Sequence, residues 1–183
     1  LYASDLSAIS DKLSASSNVL DQWILARLTE LTKSTTEHFE AYRTYEPARD
    51  IRDFVNDLST WYVRRSRDRF KDEGEDKTYA LQTTRYVLLE LSKLMAPMTP
   101  LFAEEIYESV NGELESVHLE DWPKEKKLEE SILVDMAEAR RIVSLALEAR
   151  MNAGVKIRQP LARLTVRSEK SELQNNEGIL DII

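Results

Sequence analysis

The chain has 183 residues, of which 42% are hydrophobic, and its 25 Lys and Arg against 33 Asp and Glu give a formal net charge of −8. This length suggests about one domain with a small appendage, and the hydrophobic content argues against wholesale disorder. The absence of cysteine excludes disulfides, a thiolate nucleophile and zinc–thiolate sites, and it favours a cytoplasmic location.

The first predicted elements are a polar lead-in and a long helix. Residues 1–17 are rich in serine, lack the basic start of a signal peptide, and are predicted to form a lead-in segment or linker. Because the first residue is Leu1 rather than methionine, we expect the chain to be a piece of a longer protein. Asn18 is a typical N-cap residue, and the apolar residues after it recur at helical spacing. This pattern predicts a helix from Asn18 to near Thr44.

Two more long helices are predicted from the next apolar stripes. Pro47 stands where the first turn of a helix tolerates proline, and the stripe after it includes Trp61 and Tyr62. The polar run at residues 71–76 contains one glycine and predicts a turn between helices. The third helix follows, is stopped by Pro97, and has apolar positions at Leu81, Leu88, Leu91 and Met95.

The second half of the chain begins with a shorter helix. Thr99 followed by Pro100 predicts an N-cap with proline at the first helical position. Periodicity then disappears over residues 111–127, where Trp122 is predicted to anchor an irregular crossing. A last long helix is predicted to end at Gly154, a residue type that favours helix ends.

These elements predict a mainly α fold. We expect an antiparallel helical bundle over residues 18–154, followed at residues 155–183 by the start of a small α/β appendage. Ala162, Leu164 and Val166 alternate with polar residues, which predicts one strand, and a lone strand is not stable by itself. We therefore expect the appendage to be truncated and the fragment to be a monomer. No uncharged apolar run approaches the ~18 residues of a membrane span, so no membrane partner is expected.

No catalytic or metal-binding constellation is apparent. Glu115 and His118 match the Glu-x-x-His spacing of di-iron bundles, but those sites need two such motifs on facing helices and this sequence has one. We expect His118 to make a local hydrogen bond instead, and Glu104 and Glu105 to lie on a solvated helix face. The sequence also lacks a glycine-rich phosphate loop, a Gly-x-Ser-x-Gly elbow and a His-Glu-x-x-His motif. We expect no catalytic residue, metal or cofactor in this chain.

The charges are unevenly distributed along the sequence. Residues 61–71 carry five basic residues against one acidic residue, and residues 150–170 carry six against one. Residues 104–138 carry twelve acidic residues against three lysines. Local potential, rather than net charge, steers an anion toward a protein. The sequence therefore predicts two basic patches on an acidic body.

The first basic segment places four arginines beside aromatic residues. At about 100° per residue, Arg65 and Arg69 continue the core stripe of their helix, whereas Arg64 and Arg67 fall on the opposite side. Arginines on a core stripe either pair with acidic residues inside a bundle or project from its end, and the pattern leaves both alternatives open. Four arginines next to Trp61 also match a phosphate-binding surface with a stacking group.

The same segment resembles a known family. Residues 57–70, which contain Trp-Tyr-Val-Arg-Arg-Ser-Arg, look like the signature helix of the anticodon-binding domain of isoleucyl-tRNA synthetases, which belong to class Ia. The stretch Val-Lys-Ile-Arg-Gln-Pro resembles the passage from the bundle to the appendage in the same enzymes. Further similar stretches occur in the expected order at residues 20–28, 94–100, 103–107, 115–123 and 154–161.

The resemblance implies a module that binds the anticodon arm of tRNA, with isoleucine tRNA as the expected partner. In the family, a catalytic domain of the same polypeptide uses ATP and Mg to charge the tRNA. Its His-Ile-Gly-His and Lys-Met-Ser-Lys-Ser motifs are absent here, so the fragment alone is not expected to be an enzyme, whereas its parent is expected to be an isoleucine–tRNA ligase. The expected tRNA-binding residues are Trp61, Arg64, Arg65, Arg67, Arg69, Lys156 and Arg158.

Two alternatives stay open. The valyl- and leucyl-tRNA synthetases are near relatives, so the same domain of either enzyme would share most of these stretches. A helical scaffold that binds only other proteins, through its acidic surface, is the alternative from another class. Binding of tRNA that weakens with salt would distinguish an RNA-binding domain from such a scaffold.

Overall fold

The computed structural model of the protein describes residues 16–127, 129–156, 158–161, 163 and 165. All regular structure within these residues is helical, which confirms the predicted mainly α fold. The predicted strand has its apolar positions at 162, 164 and 166, outside the described residues. The strand, the α/β appendage and the predicted domain boundaries therefore stay predictions.

The chain divides into two compact units, residues 1–128 and 129–183. In the first unit, α1 packs against α2 and α4, and α4 packs against α5. The second unit contains one helix among its described residues, α6. The helical elements are α1 (Val19–Glu40), α2 (Tyr45–Asp57), a π-helical segment (Leu58–Val63), α3 (Arg67–Lys71), α4 (Glu75–Met95), α5 (Pro100–Ser109), a 3₁₀ turn (Val117–Leu119) and α6 (Glu130–Asn152).

The first two long helices are antiparallel, as the pattern predicts. Arg27 Nε donates to Asp57 Oδ2 at 3.1 Å, and the hydroxyl of Tyr62 donates to Asp21 Oδ1 at 2.8 Å. From the first pair to the second, the residue number in α1 falls from 27 to 21, while the residue number in the partner segment rises from 57 to 62. The pairs therefore align α1 with α2 and the π segment in opposite directions, as in a helical hairpin.

Local sequence signals determine several helix ends. Asn18 Oδ1 accepts a hydrogen bond from the backbone N–H of Leu20 at 3.0 Å, which confirms the predicted N-cap of α1. Pro100 is the first residue of α5, and Thr99 stands at the N-cap position without a side-chain capping hydrogen bond. Gly154 has a φ of 67° just after α6, a left-handed conformation that glycine adopts at little cost. The predicted starts of α1 and α5 and the predicted end of α6 are thus confirmed.

The first helix ends earlier than predicted. Its last residue is Glu40 rather than a residue near Thr44. Tyr42 has a φ of 56°, a left-handed value that does not continue a right-handed helix. The backbone N–H of Arg43 then bonds back to the carbonyl of His38 at 2.8 Å, and this closes the turn that leads into α2.

The core of the first unit lies between α1, α2 with the π segment, α4 and α5. Leu81, predicted as a core position, is 49% exposed, so that prediction is wrong. Ala80 is buried in its place, and its carbonyl oxygen lies 3.3 Å from the Tyr62 hydroxyl oxygen. The small side chain of Ala80 leaves room for this approach. The largest side chains buried in the first unit are Trp23, Ile24, Phe54, Tyr62, Val87, Leu89, Leu91, Leu94 and Tyr107.

Candidate nucleic-acid interface

The arginine run begins at the π segment. The backbone N–H of Arg64 donates to the carbonyl of Ser59, five residues back, which is the hydrogen bond of a π-helical turn. The hydroxyls of Ser59 and Thr60 both donate to the carbonyl of Asn56, at 3.2 and 2.7 Å. Such side-chain bonds compete with backbone bonds for helix carbonyls. The widened turn changes which residues of the arginine run face the core.

Arg65 stacks on Trp61. Its guanidinium carbon lies 4.6 Å from the centroid of the half-buried indole ring, a cation–π geometry, while the residue as a whole is exposed. Partial burial lowers the pKa of Arg65, and the neighbouring charge of Arg64 lowers it further. Arg65 therefore does not occupy the core stripe predicted for it. Ser66 is the buried residue there.

Arg69 has a different environment, inside the protein. It forms a bidentate ion pair with Asp21, with Nη1 2.9 Å from Oδ1 and Nη2 2.8 Å from Oδ2. Its Nε and Nη2 also donate to the carboxylate of Asp76, each at 2.7 Å. The side chain of Arg69 is 12% exposed and that of Asp21 is 0% exposed. Burial lowers the pKa of Arg69, but the hydrogen bonds and charges of both carboxylates outweigh burial and raise it.

These environments divide the predicted tRNA-binding residues of the first unit into two groups. Arg64 and Arg67 are exposed, and Arg65 is exposed on top of Trp61. The guanidinium of Arg69 is held by two carboxylates, which corresponds to the structural alternative that the sequence left open. We therefore do not retain Arg69 among the proposed RNA contacts.

Lys156 and Arg158 lie in the second unit, after the end of α6, and both are exposed. Arg150 Nη2 donates to the carbonyls of Lys156 and Gln159, each at 2.5 Å. The last turn of α6 thereby fixes the backbone that carries the two basic side chains.

Sequence reasoning identified the arginines but missed the acid that holds one of them. Asp21 is spaced from Ile24, Leu28 and Leu31 as a member of the core stripe of α1. A charged residue on such a stripe must find a partner of opposite charge. Asp21 and Arg69 are separated by 48 residues in the sequence, and no local pattern links them.

A second, largely buried group of charges fixes the irregular crossing at residues 111–127, within the first unit. Lys93 Nζ lies 3.1 Å from both Glu90 Oε1 and Glu120 Oε2. The hydroxyl of Tyr107 donates to Glu120 Oε1 at 2.5 Å. Burial lowers the pKa of Lys93, but its two carboxylates outweigh burial and raise it. Further along the crossing, Trp122 Nε1 donates to Thr36 Oγ1 of α1 at 2.9 Å, which confirms the predicted anchor.

The histidine motif is not part of a metal centre in the described residues. No group of three or more His, Cys, Asp or Glu side chains in that part of the chain is placed to hold a metal ion. His118 makes a local hydrogen bond through its backbone N–H, which donates to Ser116 Oγ at 3.2 Å, and its Nε2 lies 3.9 Å from Glu104 Oε2. Glu104 is not purely solvated as predicted, because it accepts hydrogen bonds from Ser116 Oγ at 2.9 Å and from Val117 N at 3.1 Å.

The described helices, none of which is long and apolar enough to cross a membrane, present exposed arginines beside a half-buried tryptophan. These are features of a nucleic-acid-binding domain. Residues 21–166 match the family model of the anticodon-binding domain of tRNA ligase. The chain belongs to this family.

Similar proteins carry the name isoleucine–tRNA ligase. The protein of Deinococcus radiodurans is 41% identical over 156 residues, which cover 84% of this chain and 14% of the relative. The protein of Clostridium tetani is 41% identical over 160 residues, covering 82% of this chain and 15% of the relative. The protein of Bacillus thuringiensis is 38% identical over 166 residues, covering 88% and 15%. The chain thus spans about one seventh of the length of these relatives.

Proposed function

We propose that this chain binds the anticodon arm of an isoleucine tRNA as one module of an isoleucine–tRNA ligase. The family match and the names of the relatives support this proposal. The observation that carries it is the run of exposed arginines Arg64, Arg65 and Arg67, of which Arg65 stacks on Trp61; we call these three arginines together with Trp61 the arginine surface. Lys156 and Arg158 are proposed as further contacts.

The chemistry of the arginine surface suits RNA. A guanidinium group is planar and binds phosphate oxygens through two parallel N–H donors. Arg65 is already oriented by the indole of Trp61 at 4.6 Å, so less conformational entropy is lost when it makes a contact. Aromatic rings and guanidinium planes also stack on the unpaired bases of RNA loops. We propose phosphate contacts for Arg64 and Arg67, and a stacking contact for Arg65 with Trp61.

The proposed module supplies position rather than chemistry. In the longer protein, a catalytic domain of the same polypeptide would use ATP and Mg to charge the tRNA, and we propose the cytoplasm as the compartment. No residue of this chain is assigned to ATP or Mg. The isolated chain should give no isoleucine-dependent exchange of pyrophosphate into ATP above a mock purification, and turnover above that level would overturn this assignment.

The binding proposal is tested with tRNA transcripts and matched arginine variants. The chain should bind isoleucine tRNA more tightly than valine or leucine tRNA in a filter-binding competition. Arg64→Gln and Arg67→Gln should weaken this binding, because each removes one cation from the arginine surface. Arg52→Gln is the matched control, since Arg52 lies on α2, is also exposed, and pairs with its neighbour Asp53.

Each outcome of this competition has a definite meaning. Preference for valine or leucine tRNA would instead assign the domain to a valyl- or leucyl-tRNA synthetase. Equal loss of affinity in Arg52→Gln and Arg64→Gln would mean that the arginine surface contributes only general charge. No binding to any tRNA would overturn the proposed function and favour the protein-binding scaffold.

A further inference from the structure

The short helix α3 carries part of the arginine surface but has little packing of its own. It contains five residues, Arg67–Lys71, and none of them is fully buried. A helix of this length is not stable in water without tertiary contacts. Arg67 belongs to α3, and Arg64 and Arg65 lie immediately before it. The orientation of these arginines therefore depends on whatever fixes α3.

The carboxylate of Asp21 is the buried group to which α3 is fixed. It accepts two hydrogen bonds from Arg69 of α3 and one from the hydroxyl of Tyr62 in the π segment, at 2.8 Å. It also accepts a hydrogen bond from Ser16 Oγ, before α1, at 2.8 Å. Because Asp21 is 0% exposed, it makes no direct contact with RNA in this arrangement.

The second carboxylate on Arg69 holds α3 from the other side. Asp76 lies in the first turn of α4, and the hydrogen bonds from Arg69 lower its pKa. Its side chain is 58% exposed, so its pair with Arg69 is more strongly screened by water than the pair with Asp21. Asp21 is therefore the main anchor of α3.

We propose that Asp21 is a positioning residue for tRNA binding. Through Arg69 it sets the direction of α3, and through Tyr62 it sets the end of the π segment, so that Arg64 and Arg67 keep the spacing that phosphate contacts need and Arg65 keeps its place on Trp61. The proposal rests on the function proposed above. It assigns to Asp21 a role in RNA affinity beyond its contribution to folding stability.

The chain offers a matched control for this proposal. Glu120 is a largely buried carboxylate of the first unit, with an 11% exposed side chain, and it likewise binds one cation, Lys93, and one tyrosine hydroxyl, that of Tyr107. It fixes the irregular crossing and has no hydrogen bond to the arginine surface. Asp21→Asn and Glu120→Gln thus remove the same kind of charge from two places in one unit.

The experiment measures tRNA binding against salt concentration at a temperature where circular dichroism shows both variants folded. Asp21→Asn should lower the slope of log affinity against log salt by about one unit for each phosphate contact it disrupts. Glu120→Gln should leave the slope unchanged even where it reduces thermal stability equally. Tyr62→Phe, which removes one bond to Asp21 and keeps the ring, should give a smaller change of the same sign.

A double-mutant cycle with Arg67→Gln separates positioning from simple destabilisation. In the Asp21→Asn background, Arg67→Gln should weaken binding less than it does in the unsubstituted chain, because the contact is already displaced. If the effects of Asp21→Asn and Arg67→Gln on affinity are additive, or if Glu120→Gln changes the salt slope as much as Asp21→Asn does, the positioning role of Asp21 is overturned. The proposed function is not affected by either result. If Asp21→Asn does not fold, the same cycle run on Tyr62→Phe decides. Absence of tRNA binding by the unsubstituted chain would overturn the proposed function and this inference with it.

Discussion

At the scale of single residues, Arg65 and Arg69 differ in what their guanidinium groups contact. Arg65 lies on the indole of Trp61 at an exposed position, whereas Arg69 binds the buried carboxylate of Asp21 through two hydrogen bonds. Removing one member of a buried ion pair leaves an uncompensated charge in a poorly solvated place. The contacts of an exposed arginine are screened by water, so its removal costs less. The two substitutions should therefore have different effects on stability.

The first prediction compares Arg69→Gln with Arg65→Gln. We expect Arg69→Gln to lower the free energy of unfolding by roughly 3–5 kcal/mol, because Asp21 remains buried without its cation. Arg65→Gln should cost about 1 kcal/mol or less, because water screens the contacts of an exposed side chain. Urea denaturation followed by circular dichroism measures both values. Equal losses of stability would contradict the assignment of Arg69 to the interior.

The second prediction concerns two buried phenols. Burial and the carboxylate of Asp21 raise the pKa of Tyr62, and burial and Glu120 raise the pKa of Tyr107 to about 12. Both hydroxyls therefore stay protonated to a higher pH in the folded chain than in the unfolded chain, where the ordinary pKa is 10.0. Stability should thus fall as the pH rises above about 10. In a pH titration, Tyr62→Phe and Tyr107→Phe should each remove part of the tyrosinate absorbance that appears at the highest pH. Tyr42→Phe is the control, because Tyr42 is 95% exposed, and it should leave that part of the titration unchanged.

At the scale of elements, the ends of helices followed from the sequence better than the faces of helices did. The cap at Asn18, Pro100 at the start of α5 and Gly154 after α6 act through their own backbone chemistry, so they are readable locally. The π segment is not readable in this way: the hydroxyls of Ser59 and Thr60 bond to the carbonyl of Asn56 beside it, but serine and threonine make such bonds in ordinary helices as well. A calculation at a constant angle per residue therefore placed Arg65 on the wrong face.

The third prediction tests the close contact that closes the turn after α5. A Cβ atom added at Gly112 would lie 2.0 Å from Cζ of Tyr107. Gly112→Ala should therefore displace the tyrosine ring and lower the free energy of unfolding by roughly 1–3 kcal/mol, as overpacking does. Thermal denaturation checks this loss. In a Tyr107→Leu background the cost should shrink, and an unchanged cost there would show that the ring is not the cause.

At the scale of the whole molecule, a net charge of −8 coexists with basic segments in both compact units. The charge distribution along the sequence located these segments, and the resemblance supplied the hypothesis that they contact tRNA. The family match supports a domain of this kind. The sequence pattern did not reveal that Arg69 is the arginine held inside the protein, because its partner Asp21 is 48 residues away in the sequence. Long-range partners of this kind follow from the three-dimensional fold and not from local composition.

The last prediction asks whether both units contribute to one tRNA complex. With Arg64 and Arg67 in one unit and Lys156 and Arg158 in the other, up to four phosphate contacts would give a log–log salt slope of about −2.8 to −3.6. Replacing Lys156 and Arg158 together by Gln should reduce the size of this slope by about two units if both side chains touch phosphates. Filter binding across salt concentrations measures the slope, with the Arg52→Gln chain as the reference for general charge loss. An unchanged slope would confine the interface to the first unit, and weak binding without salt dependence would favour a protein-binding scaffold.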